Sequence, residues 1–134
     1  MVRLSNESIP GDIYRELRIL SGLSPKEAAA AEIGLKNTLH SVLVKDEQHD
    51  CIGMGRVIGD GGCFCQVVDI CVLPGWQGQG IGKMIMQNIM EYIQKELPES
   101  CYISLIADGE ASKLYEQYGF QDTLPKSKGM FFRK

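Results

Sequence analysis

The stretch VLPGWQGQGIGKMIMQNIMEYI, Val72–Ile93, changes character halfway along. From Ile81 onward, Ile81, Ile85, Ile89 and Ile93 recur every fourth residue, the pattern of a helix with one apolar face, and Pro98 closes it. Three glycines, Gly78, Gly80 and Gly82, crowd the point where that helix begins. Each glycine inside a helix costs roughly 0.5–1 kcal/mol relative to alanine, so the cluster needs a reason. The segment upstream, CFCQVVDICVLP, reads as a strand. A strand feeding directly into a helix presents unpaired backbone N–H groups, carrying about half a positive charge, at the strand's carboxyl end. Such a place attracts anions, and glycine removes the Cβ atoms that would hold a phosphate away. The charges agree: no Asp or Glu occurs between Asp69 and Glu91, and Lys83 stands in the first turn, where a cation is unfavourable unless an anion is bound. A turn whose glycines only permit close strand–helix packing is the plainer alternative. The spacing Gly78-x-Gly80-x-Gly82 matches neither the dinucleotide pattern G-x-G-x-x-G nor the P-loop.

The surrounding chain supplies the elements this crossover needs. At 134 residues it fits one domain, 1–134, with 44% apolar and 23% charged residues. PGDIYRELRILSGL places Ile13, Leu17 and Leu20 at helical spacing, and SPKEAAAAEIGLKNT predicts a second helix over Ser24–Asn37, with Ser24 as cap and Glu27 three residues on. HSVLVKD, DCIGMGRVIGDGG and CFCQVVDICVLP form an expected antiparallel meander joined by the turns Asp46–Asp50 and Asp60–Gly62. CYISLIA is a buried strand; Asp108 then caps a helix carrying Ala111, Leu114, Tyr115 and Tyr118 on one face, ended by Gly119, and SKGMFFRK is expected as a last strand. The fold class is α+β: a mixed, mostly antiparallel sheet with one strand–helix–strand crossover from Asp69 to Ile106 and flanking helices.

Composition also narrows the partners. The net charge of −3 and sequence pI near 5.4 speak against a nucleic-acid backbone and suit a cationic or neutral small substrate. The chain has no apolar run near the ~18 residues of a membrane span, and MVRLSNESIPGD lacks the apolar region of a secretory signal, so a cytoplasmic protein without a membrane partner is expected. Five cysteines, without finger-like pairing, are expected as reduced thiols, and Cys63-Phe64-Cys65 has no companion His or Cys cluster, so no metal is expected.

The motif Gln77-Gly78-Gln79-Gly80-Ile81-Gly82 resembles the acyl-CoA-binding signature [QR]-x-x-G-x-[GA] of the GCN5-related N-acetyltransferases (GNATs). DGEASKLYEQYGF resembles the family's second signature, N-x-x-A-x-x-[LF]-Y-x-x-x-G-F, through Ala111, Leu114, Tyr115, Gly119 and Phe120. Asp108 stands where many members carry Asn, so the amide contact to the pantetheine arm does not carry over directly. The resemblance runs from about Val42 to the C-terminus, and GMGRVIGDGG and KGMFF are similar to the subgroup containing plant plastid serotonin N-acetyltransferases and their bacterial relatives.

The resemblance implies a single GNAT domain that takes acetyl-CoA as cosubstrate and acetylates a primary amine by direct attack in a ternary complex. A small amine such as an arylalkylamine or polyamine is the leading acceptor, beside an amino sugar or a protein amine. The implied cofactor-binding set is Ile70, Cys71 and Val72 through backbone, Gln77–Lys83 around the diphosphate, and Asp108, Ala111, Leu114 and Tyr115 from the second motif. An alkyl ammonium of pKa ~10.4 is almost wholly protonated at pH 7, so freeing its lone pair accounts for about 4–5 kcal/mol. Asp69, the only carboxylate in Gly61–Met90, is the candidate base, directly or through water. Tyr115, on the family's tyrosine position, is the candidate acid for the departing thiolate, and a backbone N–H near Cys71 or Val72 is the expected oxyanion donor. A covalent route through Cys71 lacks a nearby base, since the only histidines are His40 and His49. The early helices are expected to wall the acceptor pocket, and a two-fold homodimer fits the strand edge at KGMFF. The alternatives are a non-catalytic acyl-CoA sensor and a structural domain that leaves the glycines unexplained.

Overall fold

A computed structural model describes all 134 residues. Five strands form one sheet in chain order: β1 (Arg3–Ser5), β2 (Thr38–Lys45), β3 (Cys51–Gly59), β4 (Phe64–Val72) and β5 (Tyr102–Leu105). The β2–β3–β4 meander is antiparallel as expected, and β4 and β5, joined by the long helix α3 (Ile81–Glu96), are parallel. The meander turns are made locally. Asp46 accepts the N–H groups of Gln48 and Asp50, and Asp60 accepts those of Gly62, Cys63 and Phe64, the side-chain mimicry of a backbone turn that aspartate provides.

Alternation along the strands, reset by the register shifts beside Ile52 and at Asp69, divides the sheet between two helical layers. Val42, Val44, Ile52, Val57 and Val67 face α3, whose Ile81, Ile85, Ile89 and Ile93 are all buried against them. Leu43, Met54 and Cys71 face the opposite layer, α1 (Gly11–Leu20) and α2 (Ala28–Lys36), through Tyr14, Leu17 and Ala31. The last helix, α4 (Ser112–Glu116), follows a short 3-10 turn at Gly109–Ala111 and lays Leu114 against α3 at Gly82. Gly119 ends it at φ 93°, with its N–H bonded to the Glu116 carbonyl and the Phe120 N–H to that of Tyr115.

Three expectations are corrected. The second helix starts at Ala28, not Ser24, and its N-terminal Glu27 makes no side-chain cap bond, because the Ser24 carbonyl and hydroxyl are taken by the Arg18 guanidinium. Asp108 likewise precedes its turn without a side-chain cap bond. SKGMFFRK forms no strand: Met130, Phe131 and Phe132 are 87–92% exposed, and the sheet ends at β5 on that side. Conversely, β1 was not anticipated; three residues too short to show alternation pair with the edge of β2 at Ser5↔Leu43.

Candidate active site

The feature that opens a site is a break in β4. Phe64–Val67 pairs with Tyr102–Leu105, but beyond Val67 the two strands share no ladder, while β4 continues against β3 to Val72. The register against β3 jumps there, from Arg56↔Val68 to Met54↔Cys71, and within the jump Asp69 holds φ 63°. This is a β-bulge: an extra residue bends the strand and increases its twist, so β4 peels away from β5. A non-glycine residue in the left-handed region costs on the order of 1–3 kcal/mol, least for Asp and Asn, and persists where its surroundings over-determine it.

Those surroundings are unusually well defined. Asp69 Oδ1 accepts from Tyr14 Oη at 3.0 Å and from Arg18 Nη1 at 2.5 Å, and Oδ2 accepts from Arg56 Nε at 2.7 Å. The carboxylate and both guanidinium side chains are all more than nine-tenths buried. Tyr14 lies beneath both cations, its ring centroid 5.9 Å from Arg18 Cζ and 5.2 Å from Arg56 Cζ. Arg56 reaches further, to the Gly34 carbonyl and Thr38 Oγ1. Both oxygens of Asp69, the carboxylate that the sequence offered as a base, are thus engaged by cationic or hydroxyl donors. Of this cluster, sequence reasoning found only Asp69. The available signals were Arg56 within the otherwise uncharged run IGMGRVIG, and Tyr14 and Arg18 one turn apart beside Leu17.

The gap opened by the bulge is a cavity of about 500 Å³ that runs from the Tyr14–Arg18–Arg56 wall to Asp108 and Tyr115. Tyr115 is half-buried, packed edge-on against Phe120, and its phenol is raised above the usual range by burial first and then by the Asp108 and Cys71 charges. Ile70 and Ala111 line the same cavity; Leu114 is turned instead toward α3. Cys71 points the other way: its thiol lies 4.0 Å from the Leu17 carbonyl and is pushed up to about 11 by burial, and no histidine approaches it. His40 stacks on Tyr92 at 4.3 Å and bonds Asn88, a packing role on the α3 side.

Beyond the carboxyl end of β4, outside the residues that line the cavity, stands the glycine loop. Gly78 and Gly80 have φ 79° and 83°, and a Cβ at either would project into open space. Gly80 is the N-terminal boundary residue of α3, and the first N–H in this region with a backbone acceptor is that of Met84, bonded to the Gly80 carbonyl. The N–H groups of Gly78, Gln79, Gly80, Ile81, Gly82 and Lys83 have no acceptor within the chain. Ile81 is anchored by its buried side chain, and the Gln77 amide donates to the Val72 carbonyl at 3.0 Å, tying the loop to the end of β4. Trp76 packs against the core cluster beside α3. The residues therefore fit a diphosphate: six consecutive donors, glycines where close approach is needed and a positive helix end.

The family model for the acetyltransferase (GNAT) domain matches residues 38–122, which span the bulge, the loop and Tyr115. The chain belongs to the GNAT family. A Staphylococcus aureus protein of unknown function, described as a probable acetyltransferase, has a structure that superposes with TM-score 0.94 at 48% identity over the whole of both chains. The Glycine max histone acetyltransferase TAP1 is 31% identical over 82% of this chain, and a chloroplastic GCN5-related N-acetyltransferase 2 of Arabidopsis thaliana is 32% identical over 66% of it. This chain spans 49% and 33% of those two plant proteins, respectively. The GNAT match supports the α+β reading in full, and no helix of this member is long and apolar enough to cross a membrane.

Proposed function

We propose that this GNAT protein transfers the acetyl group of acetyl-CoA to a primary amine. The observation that carries the reading is the run of six unbonded N–H groups at Gly78–Lys83, in the loop that follows the carboxyl end of β4, the strand that the Asp69 bulge separates from β5. Acetyl-CoA would supply an activated thioester. The loop amides would hold its diphosphate, and the backbone of Ile70–Val72, freed from β5, would take the pantetheine arm, with Ala111 and Asp108 on the opposite wall. Acetylation forms an amide C–N bond, breaks the thioester C–S bond and moves one proton from the amine to the departing sulfur. Tyr115 is the proposed proton donor: its raised phenol stays protonated at neutral pH, and it lines the cavity. Asp69 holds the arginines and Tyr14 in place, and solvent water in the open cavity takes the amine proton.

The test is an acetyl-CoA binding isotherm beside a screen of amines read by free CoA release. Gly80→Glu puts a carboxylate where the diphosphate belongs and is expected to abolish binding. Gly80→Asn, which tolerates the left-handed backbone without adding charge, retains it within about tenfold. Equal affinities of the Glu and Asn variants would remove the loop from the site.

A further inference from the structure

The cavity wall nearest α1 carries more positive charge than the protein neutralises. Arg18 and Arg56 share a single carboxylate, Asp69, and each is only 7% exposed. Burying a cation without a partner of its own is costly, so the second guanidinium calls for an explanation. The bonds inside the chain do not exhaust these groups either. Each Nη atom of Arg18 carries two N–H bonds, yet Nη1 uses one, to Asp69, and Nη2 one, to Ser24 Oγ. On Arg56, Nη2 has only a long contact of 3.5 Å to Tyr14 Oη. Lys26, on the same cavity, enters no ion pair. Three cations against one carboxylate make this wall positive in a chain whose net charge is −3. At the other end of the cavity the single carboxylate is Asp108, beside Tyr115.

A ligand that matches both ends is a zwitterion. We infer that the acceptor is an amine bearing an anionic group, a carboxylate or phosphate, which the Arg18–Arg56–Lys26 wall binds while its amine faces the Asp108–Tyr115 end. Guanidinium groups already oriented by Asp69 and Tyr14 are suited to such a contact, because a planar fork meets a carboxylate or phosphate in fixed geometry. The polyamines and simple arylalkylamines that the family resemblance implied lack the anion this wall requires, and a polyamine would be repelled. The inference rests on the acetyltransferase reading and concerns its acceptor alone.

The experiment compares matched amines at saturating acetyl-CoA: β-alanine with propylamine, O-phosphoethanolamine with ethanolamine, and spermidine as the cationic control. The expected result is a kcat/KM at least tenfold higher for the anionic member of at least one pair; which pair responds tells carboxylate from phosphate. Lys26→Glu, at an exposed position outside the buried cluster, should lower that ratio severalfold. Arg18→Lys should lower it through KM. Independently of turnover, the Nε–H resonances of Arg18 and Arg56 should shift on adding the favoured anionic amine and stay in place with its neutral partner. Equal rates for both members of both pairs, or a ratio indifferent to Lys26→Glu and Arg18→Lys, would overturn the inference while leaving the acetyltransferase intact. Failure to bind acetyl-CoA, or binding with no amine of any class acetylated, would overturn the enzyme and its acceptor together.

Discussion

Tyr115 of α4 and Cys71 of the bulged strand β4 place two acidic protons in different surroundings. Both are raised by burial, but Tyr115 faces the cavity and Cys71 faces Leu17 on the far side of the sheet. A cavity-facing phenol can donate to a departing sulfur. Tyr115→Phe is therefore expected to lower kcat by about 10²-fold, the usual scale of general acid assistance, with the acetyl-CoA dissociation constant changed by less than about threefold. Undiminished turnover would return Tyr115 to the packing stripe it shares with Phe120. For Cys71 the folded thiol titrates at about 11, above its unfolded value, so the folded chain holds that proton more tightly. Its contribution to stability is complete below the ordinary thiol range near pH 8.5 and is lost as pH rises toward about 11. Tyr14 and Tyr115, also raised by burial first, act in the same direction above the ordinary phenol range near pH 10. Urea midpoints should accordingly fall between about pH 9 and 11, less steeply in Cys71→Ala. At pH 8, iodoacetamide should label exposed Cys63 and spare Cys71; rapid labelling of Cys71 would contradict the burial argument.

At the scale of elements, β4 is a strand made to end its partnership early. The left-handed Asp69 would be only a local strain were its carboxylate not bonded to Tyr14 and Arg18 of α1 and Arg56 of β3, which fixes the bulge between one helix and two strands. Asp69→Asn keeps the size and the left-handed tolerance but leaves two buried guanidiniums without a counter-charge. Removing one member of a buried pair typically costs about 3–5 kcal/mol, so a fall in Tm on the order of 10 °C is expected. A loss below about 1 kcal/mol would mean the arginines do not depend on that charge. Activity measured on the folded fraction adds a second readout: a kcat/KM–pH profile of unchanged shape supports a positioning role, and loss of its rising limb would restore Asp69 as the base. The glycine loop belongs to the same scale. Its donors are available because α3 begins at Ile81 with no side-chain cap and Gln77 is occupied at the Val72 carbonyl.

Over the whole molecule, the three layers divide labour: the α3 side supplies most of the core and the α1–α2 side supplies the charged wall. The central strands β2, β3 and β4 lie between two helical layers, whereas residues 121–134 make only one backbone hydrogen bond, Ser127 N–H to the Thr123 carbonyl. Hydrogen exchange should therefore be slowest in β2–β4 and α3 and nearly unprotected from 121 onward. Strong protection at Met130–Phe132 would show that the tail is covered, as in the homodimer expected through a strand edge at KGMFF.

What the sequence by itself determined is the part governed by local chemistry. The fourfold spacing of Ile81, Ile85, Ile89 and Ile93 specifies the crossover helix, alternation specifies the meander, and Gly78, Gly80 and Gly82 mark bare amides at a helix start. Each of these depends on neighbours within a few positions, and each is visible without a partner. The tertiary structure alone decided what depends on distant partners: that β1 forms on the edge of β2, that SKGMFFRK finds no strand to join, and that Ser24 serves Arg18 and not a helix cap. It also decided the surroundings of Asp69. A carboxylate's chemistry depends on which charges surround it, and Tyr14, Arg18 and Arg56 lie 55, 51 and 13 positions away along the chain, a separation across which sequence pattern carries no sign of contact.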